Sequence, residues 1–316
     1  MKAMVYHECG FSMSSSDLLA QGTVRQPFSC GGIGVHGGLP VRVTVSPCPP
    51  GTGILFVRTD RNEVEIPGDV SHVVDTRFCT TLGNSFGETI ATVEHLLSAL
   101  WAFGIDNARI EVSGPELPIL DGSAAPWVAL IQEAGIVRYR TPRKILRISE
   151  PLYLEEGQGW IRLEPSETFS LSVTAPLGDG AQVHRFSYRL GDSFEHEVAA
   201  ARTFSQLEHV EKMQAMGLIR GGSLANALVF DGEGRVLNPE GLRFNNECAR
   251  HKALDLLGDW SLGLGLLKAR VTAHATGHGL NHRMLRKILE VESQRERCLR
   301  SSERPQGAPL AERYFC

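Results

Sequence analysis

Arg250-His251-Lys252-Ala253-Leu254-Asp255-Leu256-Leu257-Gly258-Asp259 is the stretch from which the rest of the chain is read. His251 and Asp255 stand four residues apart, so on a helix they share one face with Cβ atoms about 5–6 Å apart. An imidazole nitrogen and a carboxylate oxygen at that separation can converge on one ion. Leu254 and Leu257 point elsewhere and can anchor the helix to a core, while Lys252 and Asp259 add charge of both signs nearby. Taken alone, a His-x-x-x-Asp pair more often marks an amphipathic surface helix. Its partners elsewhere in the chain decide.

The first partner is the run from Glu88 to Phe103, ending at Gly104, where Ile90, Val93, Leu97 and Leu100 recur at helical steps. Glu94-His95 interrupts this mostly apolar element, and buried polar groups there need hydrogen-bond or metal partners. The strand-like Ala108–Val112 follows, then a Gly/Pro-rich turn, then Ser123 as the expected N-cap of a second helix with Trp127, Val128, Leu130 and Ile131 as its apolar stripe. The opening helix, expected over 250–263, is followed in the same order by a strand at Arg270–Ala273, a turn at Gly277-His278-Gly279 and a final helix over 280–294. His95 to Gly122 and His251 to His278 both span 27 residues. This repeated order implies two similar α+β domains, each a helix pair against a sheet, packed helix layer on helix layer. Such packing would bring His95, His251 and Asp255 within reach of one another.

Around these elements, Val41–Val45, Ile54–Arg58, Ile145–Ile148, Gly159–Leu163, Phe169–Ala175 and Ala227–Phe230 read as strands, and 195–216 as helix. The glycine cluster Gly31–Gly38 has no Gly-Lys-Ser/Thr and no following helix, so it reads as a turn between antiparallel strands rather than a phosphate cradle. Residues 61–72 read as loop and the basic, proline-containing 137–144 as a linker. The expected division is a flexible tail at 1–21, domain I at 22–142, domain II at 143–294 with an insert near 205–230, and a disordered tail at 295–316.

The 316 residues are 42% apolar, enough for one large or two ordinary domains, and the net charge of −4 with scattered basic residues leaves no footprint for nucleic acid. Seven scattered cysteines without a C-x-x-C pair fit free thiols in a reducing cytoplasm. No apolar run reaches the roughly 18 residues of a membrane span. The first 21 residues lack the apolar centre of a secretion signal. A monomer is the expected state.

His95, His251 and Asp255 supply three ligands of mixed nitrogen and oxygen type, leaving a fourth position open: the pattern of a catalytic zinc site with one ion. Glu94 sits beside His95, suited to act as a base, and zinc would acidify water and polarise a carbonyl. His278 can approach substrate either as a cation for a developing oxyanion or as general acid. Asp259 can orient that imidazole. The class of reaction these residues suggest is metal-assisted hydrolysis of an amide or ester.

Thr92-Val93-Glu94-His95-Leu96-Leu97-Ser98-Ala99-Leu100, Leu117-Pro118-Ile119-Leu120-Asp121-Gly122-Ser123-Ala124-Ala125-Pro126, Ala201-Arg202-Thr203-Phe204, Arg250-His251-Lys252-x-x-Asp255-x-x-Gly258-Asp259 and Gly277-His278-Gly279-Leu280-Asn281 together resemble the UDP-3-O-acyl-N-acetylglucosamine deacetylases. The resemblance runs in one order from about Gly22 to the final helix. It implies two β-α-α-β sandwich domains with a small insert in each, and zinc-dependent removal of acetate from the sugar 2-amide, the committed step of lipid A synthesis. By the same resemblance His95, His251 and Asp255 match the zinc ligands, Glu94 the general base, His278 the oxyanion-stabilising acid and Thr203 a hydroxyl at the tetrahedral oxyanion. Lys252 and Phe204 match substrate contacts, Asp259 lies beneath the catalytic histidine, and Lys144 falls where a diphosphate contact is expected.

The family's second insert forms an apolar passage for the 3-O-acyl chain, for which Leu207, Val210, Met213, Met216, Leu218 and Leu224 are the candidates. Each serves equally well as helix core. The chain departs from the family pattern at Ala275, where a basic residue often meets the diphosphate; His274 is the available substitute. Cys79 matches a family cysteine near the metal and is not counted as a ligand. The competing expectations are a zinc hydrolase of another N-acyl sugar or amide, and a non-catalytic relative that binds an acyl sugar nucleotide. Retention of Glu94, the three ligands, Thr203 and His278 argues against the latter.

Overall fold

The computed structural model describes residues 19–177, 180, 182–263 and 265–302. In the first half, strands β1 (Phe28–Ile33), β2 (Pro40–Pro47), β3 (Ile54–Arg58) and β4 (Val64–Pro67) precede helix α1 (Glu94–Ala102), strand β5 (Ala108–Val112) and helix α2 (Ala125–Ala134). The sheet order is β1-β2-β5-β3-β4, with β5 antiparallel to β2 and parallel to β3. The second half builds β6 (Leu152–Glu156), β7 (Gly159–Pro165), β8 (Ser170–Leu177) and β9 (Gln182–Arg189), then helices α3 (Leu207–Ala215) and α4 (Glu247–Ser261), strand β10 (Leu266–His274) and helix α5 (His278–Ser302). Its order is β6-β7-β10-β8-β9, with β10 antiparallel to β7 and parallel to β8, and Ile145–Arg147 pairs parallel with β10 as a sixth strand. The two sheets thus share one five-strand order. The duplication read from spacing is present in the backbone.

Each half also carries an insert between its fourth strand and its next sheet helix. The first is a small sheet of Val73–Asp75, Thr81–Gly83 and Thr89–Ile90. The second contains a π turn at Glu195–Ala199, the parallel pair Phe204–Gln206 with Leu228–Phe230, and α3.

Period-two burial gives each sheet one dry face. Val41, Val43 and Val45 of β2 are buried, as are Leu171, Val173, Ala175 and Leu177 of β8. Every residue from Glu94 to Leu100 of α1 is buried, and this helix packs against α4 and α2. The approach of α4 to α1 is close enough to require glycine. A Cβ on Gly258 would lie 2.2 Å from the Glu94 carbonyl oxygen.

Several boundaries differ from the sequence reading. Helix α1 begins at Glu94, not Glu88: Thr89-Ile90 pair as a strand with Thr81–Gly83, and Thr92 at φ 60° forbids helical continuation. The helical spacing of Ile90 and Val93 was coincidental in a β-branched run. Residues 61–72 contain edge strand β4 and a 3₁₀ turn at Val70–His72. Most of the expected linker 137–144 is strand, since Ile136–Pro142 pairs antiparallel with Ala20–Val24. That pairing also removes residues 20–21 from the expected tail, whose residues 1–18 lie outside the described set. The expected helix over 195–216 breaks into the π turn, the strand Phe204–Gln206 and α3. Helix α2 starts at Ala125 with Ala124 at the N-cap position, although the Ser123 hydroxyl does accept from the Ala125 N–H at 3.2 Å. Helix α5 begins at His278 itself and continues to Ser302, so 295–302 is helix; 303–316 lie outside the described residues.

Gly258→Ala is therefore expected to cost about 1–3 kcal/mol, the usual penalty for overpacking. Urea unfolding would measure it, and an unchanged midpoint would contradict so close a helix crossing.

Candidate active site

Helices α1 and α4 place the three expected ligands in one buried cluster. His95, His251 and Asp255 offer ligand atoms that all lie within 4.8 Å of one another. The Asp255 Oδ1 atom is 3.3 Å from His251 Nε2 and 4.0 Å from His95 Nε2. The imidazole planes meet edge to face at 89°, with centroids 5.1 Å apart. Tetrahedral bonds of about 2.0–2.1 Å require ligand atoms about 3.3–3.4 Å apart, close to this arrangement. His251 Nδ1 lies 3.0 Å from the Ala201 carbonyl, to which it donates, leaving the Nε2 lone pair facing the cluster.

Electrostatics prepare the same groups for a cation. Burial, then neighbouring His251, pushes His95 down to about 3, and burial likewise lowers His251. Asp255 falls to about 2, because His251, Lys252 and His278 outweigh the upward push of burial. Two neutral imidazoles and one carboxylate are the protonation states a metal ion needs. Cys79 is different: burial, reinforced by Glu94, pushes its thiol up to about 12, so it remains protonated beside the cluster.

Glu94 and His278, the expected base and acid, flank the three expected ligands. Glu94 Oε2 accepts from the Thr80 N–H at 3.1 Å, and Glu94 Oε1 lies 3.8 Å from His278 Nε2. Burial raises Glu94 to about 7, with His278 opposing and Asp259 and Asp255 assisting. His278 Nδ1 lies 2.9 Å from Asp259 Oδ2, and this carboxylate followed by Glu94 raises the imidazole to about 10 against the opposing effect of burial. Asp259, fully buried, is itself held well below the ordinary carboxylate range, since His278 and His282 outweigh its desolvation. A carboxylate poised near neutrality thus faces an imidazolium that keeps its proton.

Glu94, His278, His95, His251 and Asp255 line a cavity of about 840 Å³, with Asp259 buried behind His278. Thr203, Phe204 and Lys252 are on its wall, with Lys252 Nζ 3.1 Å from Asp255 Oδ2 and 5.4 Å from the Phe204 ring centroid. One end is apolar, lined by Leu207, Val210 and Met213 of α3 and by Leu224. Leu218 and Met216 are not on this wall; Ile219 is, together with Val229 and Leu237. The reason is backbone geometry: Gly217 and Ile219 are both left-handed, and this reversal after α3 cannot be read from hydrophobic spacing.

Lys144 is not brought to the site. It borders a separate cavity near the C-terminal ends of α1 and α4, alongside Trp101 and Ser261. Ala275 does line the main cavity, at φ 47°, but His274 stacks on Trp160 with centroids 5.8 Å apart and does not line it. Among the described residues, the lysine and arginine side chains on the cavity wall are Arg77, paired with Asp75, and Lys252. Sequence reasoning also missed Thr80, Asn281 and His282, all fully buried around Asp259. His282 stands one helical turn after His278, a spacing that would have flagged it; Thr80 carries no such signal.

Two imidazoles and a carboxylate that could hold a metal ion converge beside a buried carboxylate and an imidazolium, the set of groups that a metal-dependent hydrolase requires. A family model described as LpxC, UDP-3-O-acyl N-acetylglycosamine deacetylase, matches residues 21–290. The chain is 48% identical over 272 residues to the UDP-3-O-acyl-N-acetylglucosamine deacetylase of Anaeromyxobacter dehalogenans, covering 85% of this chain and 87% of that one. It is 46% identical over 276 residues to the Myxococcus xanthus enzyme of that name, with 86% and 87% covered. To the Haemophilus ducreyi enzyme of that name it is 39% identical over 308 residues, covering 94% of this chain and all of that one. This chain belongs to the LpxC family.

The raised value of His278 has a measurable consequence in metal-free protein. Because the folded value lies above the unfolded one of about 6.5, the imidazolium's contribution to stability is complete below that pH and is lost as pH rises through about 10. NMR titration should show His278 losing its proton near 10, and Asp259→Asn should lower the midpoint by about 1–3 units. A midpoint near 6.5 in the unsubstituted protein would contradict the pairing.

Proposed function

We propose that this chain hydrolyses the 2-acetamido group of a UDP-3-O-acyl-N-acetylglucosamine, releasing acetate in the committed step of lipid A synthesis, with one zinc ion held by His95, His251 and Asp255. The observation that carries the reading is the union, on one cavity, of this triad, the Glu94–His278 pair and an apolar end. Two nitrogen donors and one oxygen donor suit zinc, and leave a coordination position for chemistry. When bound, zinc supplies Lewis acidity that acidifies water and polarises an amide carbonyl.

This chain's residues do the rest. Glu94 takes a proton from water as the new C–O bond forms at the amide carbon. Thr203 and the protonated His278 face the charge that develops on the carbonyl oxygen. His278 Nε2 then gives its proton to the sugar nitrogen as the C–N bond breaks, yielding acetate and a free 2-amine. Asp259, bonded at Nδ1, keeps the imidazole oriented and charged for both tasks. Lys252 and Phe204 hold the sugar, while Val210 and Met213 with Ile219 and Leu224 receive the acyl chain. Lys144 has no part in this reading.

The working unit is a monomer in the cytoplasm, divided near residues 22–142 and 143–294. Support comes from a single chain carrying the base, the acid and all three ligands. The cysteines Cys30, Cys48, Cys79 and Cys248 are all free, and no described helix is long and apolar enough to cross a membrane.

Zinc-loaded protein should release acetate from UDP-3-O-acyl-N-acetylglucosamine. Glu94→Ala should retain stoichiometric zinc while losing about 10²–10⁴-fold in turnover. Absence of acetate release by the unsubstituted protein would sink the reading, and near-normal turnover by the variant would remove Glu94 as base.

A further inference from the structure

Thr80 lies in the insert of the first half, immediately before the strand Thr81–Gly83, yet it bonds to both Glu94 and Asp259. Its backbone N–H donates to Glu94 Oε2 at 3.1 Å, and its carbonyl accepts from the Val93 N–H at 3.4 Å. Its hydroxyl reaches across to the second half, to Asp259 Oδ1. The residue is fully buried, so these bonds form without competing water.

The directions of these bonds follow from counting protons. Asp259 is ionised and can only accept, so the single hydroxyl proton of Thr80 goes to Oδ1. His282 Nε2 lies 2.8 Å from the same hydroxyl oxygen and must donate to it. On the other carboxylate oxygen, Oδ2 receives Asn281 Nδ2–H at 2.8 Å and His278 Nδ1–H at 2.9 Å. Asp259 is thereby fixed in rotation, and the His278 ring with it, so that Nε2 faces Glu94.

We infer that Thr80 is a positioning residue for the proposed deacetylation, coupling the base on α1 to the acid on α5 through its amide and its hydroxyl. The inference rests on the function proposed above. The hydroxyl acts through Asp259, and the amide acts on Glu94 directly. Loss of the hydroxyl therefore loosens the acid without disturbing the ligands or the base.

Thr80→Val tests this, because valine keeps the shape and the backbone N–H while removing only the hydroxyl. Acetate release is measured for Thr80→Val, Asp259→Asn and the double variant, with zinc content and thermal unfolding recorded for each. Expected are an approximately tenfold or larger fall in kcat for Thr80→Val with KM within about twofold and zinc retained, and recovery of most of the rate in Thr80→Ser. In the Asp259→Asn background the valine should cost less than about twofold, since the route of its action is already cut. An equal loss in both backgrounds, or full kcat in Thr80→Val, overturns the coupling. Should Thr80→Val not fold, Thr80→Ala carries the same comparison. An unsubstituted protein that releases no acetate overturns the proposed function and this inference with it.

Discussion

Everything at the site depends on how closely α4 crosses α1. With no side chain at Gly258, the α4 backbone comes against the backbone of Glu94, a separation that a single methyl group would prevent. Polar residues next to that crossing cannot be reached by bulk water and must satisfy one another or a bound ion. This is why Glu94, His95, His251, Asp255 and Asp259 can all be buried without the fold failing. The two halves each contribute one helix, so neither half alone holds the cluster.

That dry setting separates the titrating groups by charge. Burial drives His95 and His251 toward the neutral form and Glu94 toward the protonated one, whereas the Asp259 charge keeps His278 protonated despite its burial. Groups of one chemical kind are thereby given opposite protonation states by their neighbours, the separation that the proposed division into base and acid requires. Thr80 extends this by donating its hydroxyl to the second oxygen of Asp259, while His282 Nε2 donates in turn to that hydroxyl, so the carboxylate beside His278 is held on both oxygens.

Much of this was legible in the residues. The His-x-x-x-Asp spacing and the equal intervals from His95 to Gly122 and from His251 to His278 pointed to duplicated halves and a shared cluster, and the sheets repeat one five-strand order. What spacing could not reveal was governed by left-handed backbone or by contacts distant in sequence. Thr92 at φ 60° shortened α1, and the reversal after α3 put Ile219 rather than Leu218 on the cavity wall. Lys144, expected at a diphosphate from the resemblance alone, borders a separate cavity, a placement set by the chain's path between the halves and not by its own spacing. Thr80 lies 179 residues from Asp259, and only the assembled fold brings them together.

If His95, His251 and Asp255 hold one zinc ion where the helices cross, X-ray absorption at the zinc edge of the metal-loaded protein should show a shell of nitrogen and oxygen ligands at about 2.0–2.1 Å, with imidazole scattering from two rings and no sulfur. A sulfur shell at about 2.3 Å would put Cys79 or another thiolate on the metal and rule out the three-ligand site.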